Sequence, residues 1–124
     1  MATIYPTFTA FPEPGNPKAA VIQWGPMKNG DVGAAYPWLF DYADRSVQVT
    51  GTFGSGGVVN IEGSNDMENF YTLSSPNGNS LSVVSASLNA IVEMSLGFRP
   101  HVTAGDLTTS LTVTMIARRT TPGL

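Results

Sequence analysis

The chain has 124 residues, no cysteine, a net charge of −3, and 12% charged against 42% hydrophobic residues. This length makes one domain with a core of its own, and the lack of cysteine excludes disulfides, thiolate zinc sites and a Cys nucleophile. The only basic pair is Arg118-Arg119, which sets nucleic acid aside because phosphate binding needs grouped Lys and Arg.

The charged fraction is about half the usual ~25% of a globular domain. Ser, Thr, Asn and Gly must cover the surface instead, as in a chain that lives against other protein. The opening "MATIYPTFTAFPEPG" has neither the basic nor the apolar region of a secretory signal. No run is long enough to span a bilayer. Assembly in the cytosol with no membrane partner is expected.

Residues 1–18 read as an extended, Pro-rich N-terminal arm. Four prolines fall between Tyr5 and Lys18, and proline neither donates to a ladder nor lets its predecessor turn helical. The arm also carries Tyr5, Phe8 and Phe11, whereas plain linkers are poor in aromatics. Two readings stand open: the arm lies on its own domain, or it buries those rings on a neighbouring subunit. The second makes it an assembly element, removable with the sandwich left folded.

From residue 19 to 119 the signal is strand and turn. "VIQW" ends at Gly25-Pro26, and Asn29-Gly30 is a turn dipeptide. "AAYPWLFDYADRS" alternates Tyr36, Trp38, Phe40 and Tyr42, but Pro37 makes it an edge or loop. "SVQVTGTF" puts Val47, Val49, Gly51 and Phe53 on one face. "VVNIEG" and "NFYTLSS" flank "SNDME" as a hairpin, followed by "SLSVVS", "AIVEMS" and "FRPHVTAG". "SLTVTMIAR" sets Leu111, Val113 and Met115 against Thr112 and Thr114. Residues 86–96 offer at most a helical turn or two. About eight short strands with Gly, Pro and Asn turns predict an antiparallel β-sandwich, with the jelly roll as its common eight-strand form. Residues 120–124 form a C-terminal tail.

Four clusters invite a chemical reading. Glu62, Asn65, Asp66 and Glu68 hold ligand-type atoms but lack the alternate spacing and the Glu twelfth position of a calcium loop. A turn is favoured, with Gly63 supplying a positive φ and Asn65 and Asp66 bonding their own backbone. His101 with Asp106 and a serine lacks the Gly-x-Ser-x-Gly elbow, so His101 reads as a polar strand-face residue. Glu62 and Glu93 could pair as glycosidase acids only at a separation that sequence does not supply. Trp24, Trp38, Phe70 and Tyr71 could stack sugar, yet strand aromatics more often serve core or interface. No enzyme, cofactor or metal is expected.

The order of "VIQWGPMKNGDVGAAY", "DRSVQVTGTFGSGGVVNIEGSNDMENFYTLSSPNG" and "FRPHVTAGDLTTSLTVTMIARR" resembles the small capsid decoration, or cement, proteins of tailed bacteriophages. The shared pattern is Trp-x-x-x-x-Asn-Gly-Asp, Gly-Ser-Asn-Asp and Arg-Pro, and the resemblance covers residues 21–119. It implies a β-sandwich that binds outside the major capsid protein shell and carries no catalysis, in virions assembled in the host cytoplasm. Tyr5, Phe8, Phe11, Tyr36, Trp38 and Phe40 are the expected interface residues. The aromatic edge suggests a homo-oligomer, with a two-fold dimer favoured over a trimer. "EGSNDMENFYTL" separately resembles a strand-turn-strand of discoidin-type carbohydrate-binding sandwiches, with Met67 in place of their Gly. That supplies the alternative of a sugar-binding module in a phage fibre or other virion protein.

Overall fold

The computed structural model describes residues 1–13, 16–36 and 44–118, and their side chains except those of 10–13 and 16–18. Trp38, Phe40 and the tail 120–124 lie outside the described residues, as does the side chain of Phe11.

Among the described residues eleven strands run in chain order: β1 (Thr3–Ile4), β2 (Thr7–Glu13), β3 (Asn16–Met27), β4 (Val32–Gly33), β5 (Asp44–Thr52), β6 (Val58–Ser64), β7 (Tyr71–Thr72), β8 (Ser82–Val83), β9 (Ser87–Ala90), β10 (Gly97–Ala104) and β11 (Ser110–Arg118). They form two sheets. One has the order β1-β4-β10-β6-β7, with β8 also on β6; the other has the order β2-β3-β11-β5-β9. From β3 to β6 the chain changes sheet at every step, and again from β8 to β11. The first and last strands of this set, β3 and β11, lie side by side. This is jelly-roll connectivity, and the all-β sandwich expected from the strand and turn pattern is what the chain adopts. One pairing departs from antiparallel: β1 runs parallel to β4, Thr3 opposite Val32.

Period-two patterning places the core. Val47 and Val49 of β5 face inward, as do Leu111, Val113 and Met115 of β11. Ile22 and Trp24 join them from β3, facing Val59, Ile61, Phe98 and Val102 of the other sheet. Gly51 breaks the β5 pattern. Its φ is +116°, and a Cβ there would stand 2.3 Å from Ser110 O, so only glycine lets β5 and β11 keep their register. β3 does not stop at Gly25-Pro26 but runs through a cis peptide to Met27. Residues 86–96 hold the strand β9 rather than a helical turn.

The first thirteen residues are extended and pair within this sandwich. The N–H groups of Val32 and Ala34 donate to Ala2 O and Ile4 O. The chain then crosses to the other sheet, where β2 pairs with β3 from Thr7–Gln23 to Glu13–Asn16. β3 thus begins inside the stretch expected to be arm. Asp31, 7% exposed, ties the start of β1 to the β3–β4 turn: its carboxylate accepts from Ala2 N–H at 3.0 Å and Lys28 N–H at 2.8 Å.

Candidate interaction surface and side-chain clusters

The structure brings together two of the expected interface residues. Phe8 of β2 and Tyr36 stack with ring centroids 5.5 Å apart and planes 10° from parallel. Register explains the meeting. Phe8 lies opposite the inward-facing Ile22 at the outer strand of one sheet, and Tyr36 bridges to Phe98 at the margin of the other. The stack closes the gap between the two sheets, and Phe8 keeps 45% exposure. Tyr5, in the crossing between β1 and β2, is 77% exposed. Phe11 pairs through its backbone with Ala19.

Among the described side chains, the outer face of the β2-β3-β11-β5-β9 sheet is nearly free of charge. One row across it reads Thr7, Gln23, Thr114, Gln48 and Leu88. At its margin Arg118 and Asp44 form an exposed ion pair at 2.8 Å. Such a pair contributes little.

The expected hairpin between β6 and β7 forms, with Glu62 opposite Thr72. Its tip is a turn built on Asp66. Oδ1 accepts from Ser64 Oγ–H and from the N–H groups of Glu68 and Asn69, and Oδ2 accepts from Asn69 Nδ2. The Asn69 N–H above all, then the Asn69 amide and Glu68 N–H, hold the Asp66 carboxyl well below the usual carboxylate range. The positive φ falls on Met67, at 62°, not on Gly63, Asn65 or Asp66. Gly63 instead permits a close approach, since a Cβ there would stand 2.5 Å from Ser95 Oγ and 2.9 Å from Leu73. Asp106 builds a second turn, and Thr108 Oγ–H with Ser55 N–H lowers its carboxyl.

Both depressed carboxyls act on stability in the same direction. Each bonds best when ionised, so its contribution is full above the unfolded value near pH 4 and is lost as pH falls through the lower folded value. Melting temperature is expected to fall as pH drops below about 4. Asp66→Asn should lower it at neutral pH and flatten the acid fall. Thermal melts of both proteins across that range check this, and parallel acid slopes would contradict it.

Glu62 and His101 sit on the outer face of the other sheet. Glu62 Oε1 accepts from Arg99 Nε at 2.8 Å, and Oε2 lies 3.4 Å from His101 Nδ1. The Arg99 guanidinium carbon lies 3.8 Å over the Phe70 ring. Cross-strand register brings this about, with Glu62 directly opposite Arg99. Asp106 is engaged by its own turn, while His101 faces Glu62. Glu93 is held elsewhere, accepting from Ser74 N–H at 2.7 Å, which lowers its carboxyl. Glu62 and Glu93 therefore have separate hydrogen-bond partners. Among the described residues no three His, Cys, Asp or Glu side chains gather to hold a metal ion. Trp24 is no sugar platform: it is fully buried, and its Nε1–H donates to Ala34 O at 2.8 Å.

Sequence reasoning missed Asp31 and Arg45. Arg45 points into the sandwich, its guanidinium carbon 4.9 Å from the Phe98 ring centroid, and burial lowers its pKa. The resembling motifs turn out to be joints. Trp24 and Asp31 anchor the β3–β4 region, Asn29 reaches Gly105 O at 3.2 Å, and Gly33 lies close against Pro100 and Trp24.

No protein-family model matches the chain, and no curated protein matches it. Among solved structures, its fold is similar to that of the SPBc2 prophage-derived protein YomS, with a TM-score of 0.59 at 10% identity over 80% of this chain and 93% of that one. At that identity the likeness is one of fold: the chain is a β-sandwich of the kind seen in a prophage-derived protein.

Proposed function

We propose that the protein is a non-enzymatic bacteriophage capsid decoration protein that binds the outside of the major capsid protein shell and stabilises it. The observation that carries this reading is the aromatic edge at the N-terminal crossing, where Tyr5 stands 77% exposed three residues before Phe8, whose ring is already stacked on Tyr36. An exposed tyrosine of this kind is the sort of anchor that carries binding energy in an interface. The low charge of the described part of the outer face supports the same reading, since interface cores are depleted in charge. So does the prophage origin of a protein with this fold. The mechanism is mechanical. A rigid sandwich spans the junction between capsid subunits, and many modest contacts sum over a symmetric shell. Two copies would meet by a two-fold axis at the edge that includes Tyr36.

The test compares capsids imaged with the wild-type protein and with Tyr5→Ala. The variant should remain folded and bind shells about tenfold more weakly. Equal occupancy would remove Tyr5 from the interface, and no decoration by wild type would refute the reading.

A further inference from the structure

A cleft of about 470 Å³ opens between the tip of the β6–β7 hairpin and the segment leading into β10. Its volume falls within the ~300–1,000 Å³ of small-ligand sites. Tyr71 and Met94 line it at 73% and 71% exposure, with Leu73 behind them. These are large apolar side chains left facing water around a concave surface. Gly63 also lines it, and Ser95 and Leu73 pack so close there that any Cβ would collide with them.

The rim is polar and pre-set. Ser74 N–H holds Glu93 through Oε1, making the carboxylate a fixed acceptor. Asn65 spends its carbonyl oxygen on Leu96 N–H at 3.1 Å, so its amide N–H is the donor it offers. The hollow therefore presents an aromatic and thioether wall beside one acceptor and one donor.

We propose that this cleft binds a neutral sugar residue of a glycan, its apolar ring face on Tyr71 and Met94 and its hydroxyls on Glu93 and Asn65. The chemistry selects against the alternatives. Ionised Asp66 and Glu93 repel phosphates and acidic sugars. A guanidinium would want a free bidentate carboxylate, but the turn takes both Asp66 oxygens and Ser74 takes one of Glu93's. A sugar needs only single hydrogen bonds and a flat apolar contact. The proposal stands independently of capsid binding, and a virion-surface protein could do both.

The full chain, isotope-labelled, is titrated by NMR with lactose, maltotriose, chitotriose and mannobiose, and with sialyllactose and an oligo-arginine peptide as contrasts. At least one neutral probe should shift the Tyr71, Leu73, Met94 and Ser95 resonances, with a Kd at or below about 10 mM. Tyr71→Ala should weaken that binding by about tenfold or more, and Glu93→Gln should weaken it too. Leu88→Ala, an exposed change on β9, should leave it unchanged. No shift with any neutral probe would overturn the proposal, and so would shifts seen only with the peptide or only with sialyllactose.

Discussion

Replacing Trp24 with alanine is expected to lower the unfolding free energy by about 3–5 kcal/mol, the usual cost of removing a large buried aromatic. Trp24 is fully buried, between the sheets and against the backbone of Gly33. The loss has two parts: a cavity at the centre of the core, and an orphaned Ala34 carbonyl that now accepts at 2.8 Å. Trp24→Phe separates them, since it keeps most of the volume and forfeits the hydrogen bond, worth about 1 kcal/mol. For a domain of this size the alanine variant should melt on the order of 10–20 °C lower. Urea and thermal unfolding of the three proteins measure this. An alanine cost below about 1.5 kcal/mol would mean that the ring does not fill the core as described.

Removing residues 2–13 is expected to do comparable or greater damage. The deletion takes β1 from one sheet and β2 from the other. It strips Phe8 from Tyr36 and leaves the buried Asp31 carboxylate without its bond from Ala2. It also bares the whole edge of β3, and an unpaired long edge invites pairing with other chains. About half or more of the ~5–15 kcal/mol that holds a domain together should go. Size-exclusion chromatography should show association, and the melt should lose its cooperativity. A truncated chain that stays monomeric and melts within a few degrees of the intact one would show that the segment is attached without contributing. This outcome bears on function as well. Poor capsid binding by such a truncation would report lost folding, so exposed point changes such as Tyr5→Ala are the cleaner probes of the interface.

Much of the fold was legible from local pattern. Side chains in a strand alternate between faces, so "SLTVTMIAR" and "SVQV" by themselves said which residues enter the core, and Leu111, Val113, Met115, Val47 and Val49 are there. Asp66 in a Ser-Asn-Asp run is turn chemistry, decided within a few residues, and its carboxylate bonds its own backbone. Glycine, proline and asparagine turns between short strands pointed to a β-sandwich for the same reason, because each acts at its own position.

What depended on distance along the chain was not legible. Proline marked residues 1–18 as extended, but only the register with Val32 and Gln23 places the first thirteen on both sheets. Local pattern left Trp24 between core and sugar platform and put Phe8 and Tyr36 at an interface; packing buries the first and stacks the other two on each other. Glu62 acquires its partners because β10 lies beside β6 in one register, which sets Arg99 and His101 within its reach. The cleft joins residues 63–73 to residues 93–95, segments that meet only once both sheets have formed. Local preferences are set by a residue and its near neighbours, whereas these contacts follow from the free energy of burying one core and pairing every interior strand. That is why the sequence determined the kind of protein and the faces of its strands, and the tertiary structure decided which side chains came to stand together.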